Sequence, residues 1–152
     1  MRRDLLSAVA LGLCLSSLGQ EGFLTFRTDT AKWLVYSPDG ASFVTLAADN
    51  PGAFVSDTAW HRGQMYGVYV VSSNRFIGKV DPATGTISDS SPVTFQGSSV
   101  VAESLVSDGE SLYVAWGSVA GTSTNWGQID PSNGVIAQTG NTAYDNDGAG
   151  FV

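Results

Sequence analysis

His61 is the only histidine in the 152-residue chain. It follows Trp60 in a strand-like stretch, where a catalytic reading would make it a general base. A base needs a nucleophile or a second titratable group beside it, and no such motif is present. The single cysteine, Cys14, lies inside an apolar run, and no second histidine exists to share the work. By default, His61 reads as a turn or strand-end residue. Asp145-Asn146-Asp147-Gly148 places two carboxylates just ahead of a glycine. Such spacing can wrap oxygen ligands around a hard cation, and Ca2+ is the cofactor Asp145 and Asp147 would hold. The pattern is partial, because Ala143 stands at the first ligand position of a helix-loop-helix calcium loop; a solvated turn is the competing reading. Asp57 and Glu103 are 46 residues apart, and Ala149 follows at the same interval. Facing a common axis, the two carboxylates would bind a cation or ligand together; otherwise they are solvated strand starts. Trp116 adjoins the Gly-, Ser- and Thr-rich stretch 117–124, so it is the aromatic expected to stand exposed and stack on a ligand.

The elements that must position these residues are strands. Glycine is frequent at 18 residues and aromatics make up 11% of the chain, while apolar stretches are broken every few residues by Gly, Pro, Asn or Asp. That texture predicts many short strands and tight turns. A hydrophobic fraction of 43% with 14% charged residues belongs to a folded domain with a real core.

The first residues read differently. Arg2 and Arg3 precede an uncharged run of 14 residues from Leu5 to Leu18, and Ser17-Leu18-Gly19 sets small residues where a signal peptidase cuts. Residues 1–19 are therefore expected to be a signal peptide, and the chain to be secreted, extracellular or periplasmic. A membrane anchor competes, but spanning takes about 20 apolar residues. Leu13 directly before Cys14 argues against a lipidation box. Losing Arg2, Arg3 and Asp4 from 7 basic and 14 acidic side chains leaves a formal charge of −8. Nucleic acid is then not an expected partner, since its backbone is bound by Lys and Arg, and after cleavage nothing holds the chain to a membrane.

A repeat runs through the remainder, residues 20–152. Ser37-Pro38-Asp39-Gly40, Asp81-Pro82-Ala83-Thr84-Gly85 and Asp130-Pro131-Ser132-Asn133-Gly134 are three forms of one turn, spaced by 44 and 49 residues. Proline presets φ, the residue before it accepts backbone hydrogen bonds, and glycine closes the turn at positive φ. Apolar stretches flank each, predicting hairpins. Gln64-Met65-Tyr66-Gly67-Val68-Tyr69 and Ser111-Leu112-Tyr113-Val114-Ala115-Trp116 recur as a strand upstream. A unit of about 46 residues with three or four short strands matches the period of propeller blades. These landmarks resemble secreted propeller repeats of the YVTN, NHL and quinoprotein-like kind. The resemblance implies an all-β chain with an incomplete set of blades: a partial blade 23–53, blades 54–100 and 101–146, and the start of another at 147–152. A β-sandwich is the alternative fold.

What the resemblance implies for function divides in two. Repeats without a convergent catalytic set suit a non-enzymatic binding module for an extracellular protein or glycan. A fragment of a propeller enzyme of the lactonase, quinoprotein dehydrogenase or glutaminyl cyclotransferase kind is the alternative, with Asp57 and Glu103 in the place of the axial calcium ligands of the lactonases. Open blade edges would favour self-association. The sequence contains no G-x-G-x-x-G, Walker, Cys-x-x-Cys or His-Glu-x-x-His pattern that would imply another cofactor.

Overall fold

The computed structural model of the chain describes residues 11–15, 20–27, 32–46, 53–117 and 124–142. These residues form fourteen strands and no helix, so the chain is all-β. Sheet I runs β1 (Leu11–Leu15), β2 (Gln20–Arg27), β3 (Lys32–Tyr36), β4 (Phe43–Thr45), and sheet II runs β5 (Phe54–His61), β6 (Gln64–Val71), β7 (Asn74–Val80), β8 (Ile87–Pro92). Both are antiparallel meanders in chain order. Sheet III repeats the meander in β11 (Val101–Ser107), β12 (Leu112–Gly117), β13 (Thr124–Asp130) and β14 (Val135–Thr142), and adds β9 (Thr94–Phe95) and β10 (Ser98–Ser99) beyond β14. β1 falls inside the stretch that reads as a leader, pairing Leu11 with Leu24 through Leu15 with Gln20.

The three Pro-Gly turns all close hairpins. Tyr36 pairs with Phe43 and Val80 with Ile87, enclosing 37–42 and 81–86, whereas in the third Asp130 still pairs with Val135 and the turn encloses 131–134. Gly40, Gly85 and Gly134 each take φ between 69° and 80° and donate their N–H back to Ser37, Asp81 and Asp130. Gly134 has a second reason to be glycine: a β-carbon there would overlap the carbonyl of Pro92, where the connection from sheet II passes over the turn and Thr94 N–H bonds the Gly134 carbonyl at 2.9 Å.

Packing explains why β6 is apolar almost without alternation. Antiparallel strands usually alternate because one face meets water. Sheet II is instead covered on both sides. Met65 and Val80 join Trp33, Val35 and Leu46 in a core against sheet I, while Ala59, Val68 and Ile77 join Leu105, Leu112, Val114 and Trp116 in a core against sheet III. Met65, Val68, Ile77 and Val80 are all 0% exposed, each contributing roughly 1.5–3 kcal/mol by burial.

The two joints differ in their polar content. The joint between sheets II and III is fastened by hydrogen bonds described below. The joint between sheets I and II buries the indole nitrogens of Trp33 and Trp60 with no hydrogen-bond partner, each such donor costing about 1–3 kcal/mol.

Candidate functional site

The first strands of the meanders in sheets II and III, β5 and β11, lie against one another, and their side chains meet. Asp57 is the centre of the contact. Its Oδ2 accepts from Ser104 Oγ at 2.9 Å and from Leu105 N–H at 2.8 Å, while Oδ1 accepts from Thr58 N–H at 2.7 Å. Oδ2 fastens the two sheets, while Oδ1 holds the carboxylate to its own strand. Arg75 Nε adds a bond across the same joint to the Ala102 carbonyl at 3.2 Å.

Pairing register identifies the equivalent positions in the two sheets. Trp60 pairs with Met65 and Ser107 with Leu112, and extra residues interrupt β5 at Ser56 and β11 at Glu103. These repeats are 47 residues apart, so the residue in Asp57's place is Ser104 and Glu103 matches the bulged Ser56. The expectation that Asp57 and Glu103 are counterparts facing one axis gives way to this register. Among the described residues, no group of three His, Cys, Asp or Glu could hold a metal ion. Asp145 and Asp147 lie outside the described residues.

His61 ends β5, only 7% exposed, with Nδ1 3.0 Å from Ser107 Oγ. A histidine beside a serine is the start of a nucleophilic pair. Here the Ser107 hydroxyl also accepts the Gly109 N–H at 3.0 Å, which caps the β11–β12 turn, so its geometry is that of a turn residue. Trp116, expected to be exposed, is 4% exposed. It packs in the core between sheets II and III, with Phe95 of β9 tilted against it at 5.3 Å. Alternation within β12 sends Leu112, Val114 and Trp116 to the face turned toward sheet II.

A meander places its first and third turns at one end. The turns at Arg62-Gly63, 108–111 and 130–135 therefore gather there, framing an open groove of about 520 Å3. Leu112 and Ile129 give it an apolar floor, and its walls carry His61, Arg62, Glu110, Gln128, Asp130 and Asn133. Arg62 bridges it, donating to the Glu110 carbonyl at 2.7 Å with the Glu110 carboxylate 3.7 Å away. Gln128 Nε2 donates to Ser111 Oγ at 3.1 Å. The Asp130 carboxyl is held below the usual carboxylate range by the Ser132 hydroxyl, then by the Ser132 N–H, so it stays ionised at neutral pH. The groove thus offers an imidazole, a guanidinium, two amides and two carboxylates within one mouth, suited to a ligand rich in hydroxyl and amide groups.

Of the residues singled out from sequence, only His61 lines this groove. Arg62, Glu110, Gln128 and Asn133 were missed individually, although the turn that carries Asn133 was recognised. The end-of-meander rule would have gathered them. No helix among the described residues is long and apolar enough to cross a membrane. No family model, curated protein or solved structure matches the chain.

Proposed function

We propose that the chain is an exported, propeller-type binding module that takes a polar ligand, a segment of an extracellular glycan or protein, at the turn-bearing end of its sheets. The observation that carries this reading is the groove between sheets II and III, whose walls are hydrogen-bonding side chains on rigid hairpins. Sites on such turns are positioned by the sheets beneath them and free to vary in side chain. Three successive four-stranded meanders packed face to face support the blade reading. Ring-forming blades pack this way, each sheet covering the next. Export rests on the basic residues and apolar run at the start of the sequence; cleavage after Gly19 would remove β1 and open the edge of β2.

The Ser107 hydroxyl beside His61 is bound into its turn, so recognition is a better fit than catalysis. The test is a binding screen of the purified protein on arrays of extracellular glycans and proteins, repeated with Glu110→Ala/Gln128→Ala. Losing two ligand hydrogen bonds should weaken binding by about tenfold or more. A blank screen, binding indifferent to the double variant, or turnover of a ligand would each refute the proposal.

A further inference from the structure

We propose that the groove between sheets II and III recognises an acetamido group, so that its ligand is a neutral glycan of N-acetylated amino sugars. This rests on the binding reading above and names the class of ligand within it. Its ground is the division of the groove's polar atoms into those already bonded and those left to a ligand, and the donor or acceptor sense of the latter.

Two polar side chains of the groove are engaged within their own turn. Asp130 Oδ1 accepts from the Ser132 N–H and hydroxyl, and Oδ2 accepts from Asn133 Nδ2 at 2.9 Å. Asn133 Oδ1 accepts the Val135 N–H at 2.9 Å. Both serve as wall.

On the sheet II side the remaining atoms donate. Ser107 Oγ lies 3.0 Å from His61 Nδ1 and accepts the Gly109 N–H. The hydroxyl has one proton, and Nδ1 is its one acceptor among the described residues. The proton therefore goes to Nδ1, and the neutral imidazole carries its own on Nε2. Among the described residues, the buried side-chain nitrogens without a partner belong to Trp33 and Trp60. Nε2 of His61 is not one of them, so it opens on the groove that the ring lines. Arg62 comes next, with Nη2 on the Glu110 carbonyl and its Nε and Nη1 left to donate. It stands at φ 49° beside Gly63 at 77°, in a turn where Asn-Gly is the favoured pair. An arginine held there brings its guanidinium to the groove mouth.

On the sheet III side the remaining atoms accept. Gln128 Nε2 donates to Ser111 Oγ, which leaves Oε1, and Glu110 adds a carboxylate on a side chain 92% exposed. Leu112 and Ile129 of the floor are 1% and 2% exposed. The apolar spot they present is small, fit for a methyl group rather than a long side chain.

An acetamido group has this pattern: a carbonyl that accepts, an N–H on the opposite side that donates, and a methyl beside the carbonyl. A hydroxyl holds both senses on one atom. A peptide repeats the carbonyl and the N–H, but continues its chain where the acetamido group ends in a methyl. Charge favours a neutral ligand as well. Arg62 and Glu110 offset one another across the mouth, and the formal charge of −7 on the chain repels acidic glycans.

Calorimetric titration with tri-N-acetylchitotriose, cellotriose and an alanine oligopeptide tests this. The two sugars differ only in bearing an acetamido group or a hydroxyl beside the anomeric carbon. The acetylated sugar should bind about tenfold more tightly than cellotriose, and more tightly than the peptide. Arg62→Asn removes the guanidinium while installing a residue the turn favours, so it should fold and bind the acetylated sugar about tenfold more weakly; Gln128→Leu, which removes the facing acceptor, should do the same. Because His61 is the only histidine, one long-range proton–nitrogen correlation in the untagged chain reads its tautomer, at a pH above the ordinary histidine value of about 6.5. The proton is expected on Nε2. Equal affinity for cellotriose, tighter binding of the peptide, a proton on Nδ1, no binding of the acetylated sugar, or folded variants that bind it as the parent does would each overturn the proposal. If the acetylated sugar fails while another array ligand binds and is lost in Glu110→Ala/Gln128→Ala, the groove reading stands and the acetamido assignment alone falls. Blank arrays would sink both.

Discussion

Replacing Asp57 with alanine should weaken the fold by about 2–4 kcal/mol. The carboxylate accepts the Ser104 hydroxyl and the Leu105 N–H from the neighbouring sheet, and those two residues are 2% and 3% exposed. Removing the acceptor takes from the Ser104 hydroxyl and the Leu105 N–H their bonds across the joint. Each unsatisfied donor costs about 1–3 kcal/mol; water entering beside the half-buried Asp57 position relieves part of it. Asp57→Asn should lose less, since its amide oxygen keeps one side while its NH2 must face a donor on the other. Glu103→Ala is the control: it removes a carboxylate from the bulge rather than from the joint, and should stay within about 0.5 kcal/mol of the parent. Urea unfolding followed by tryptophan fluorescence reads the difference. With a slope of about 1–3 kcal/mol per molar, the Asp57→Ala midpoint should fall by about 1–2 M. An Asp57→Ala midpoint matching the parent, or an equal loss for Glu103→Ala, would refute the 47-residue register and the assignment of Asp57 as the fastener.

Trp116→Ala should cost about 3–5 kcal/mol, as loss of a buried aromatic does, and should perturb Phe95; a change under 1 kcal/mol on thermal unfolding would contradict its burial. Ser72 and Ser73 occupy a two-residue turn at φ 49° and 75°, where Asn-Gly is the favoured pair, so Ser72→Asn/Ser73→Gly should raise stability by roughly 1 kcal/mol; a lower melting temperature would contradict the turn type. The carboxyls of Asp39, Asp81, Asp108 and Asp130 are all held below the ordinary value of 3.8, first by the Ser37 hydroxyl, the Ala83 N–H, the Ser111 N–H and the Ser132 hydroxyl respectively. Unfolded, they protonate at higher pH than folded, so their stabilisation is complete above 3.8 and is lost as pH falls through the lower folded values. The melting temperature should drop steeply below about pH 4; one that stayed level there would contradict the turn geometry.

The three Pro-Gly hairpins were legible because each residue in them acts locally: proline on φ, the leading Asp or Ser on the backbone donors, glycine on the closing conformation. The strands around them followed from composition. Which face a strand residue takes was not legible where the strand is apolar throughout. Leu112-Tyr113-Val114-Ala115-Trp116 has no alternation to read, since both of its faces carry apolar or aromatic residues, and Trp116 was placed outside when it lies in a core. Asp57 and Glu103 were matched by their shared charge. Strand pairing ranks above chemical likeness, and bulges at Ser56 and Glu103 shift the match to Ser104. The β9 segment pairs parallel to β14 through Thr94 and Phe95, a contact between a connection and a distant strand that leaves no local pattern. The groove was readable only as far as its turns; that they share one end follows from the meander.

The packing of β5 on β11 in this register is the central claim, because it sets the joint and the groove together. Proton–proton cross-relaxation in the labelled protein reads it at a single atom pair. A cross-peak between the Leu105 amide proton and the Asp57 β-protons is expected, with that amide protected from exchange and losing protection in Asp57→Ala. An amide at Leu105 that exchanges freely and shows no cross-peak to Asp57 would contradict the arrangement of the sheets.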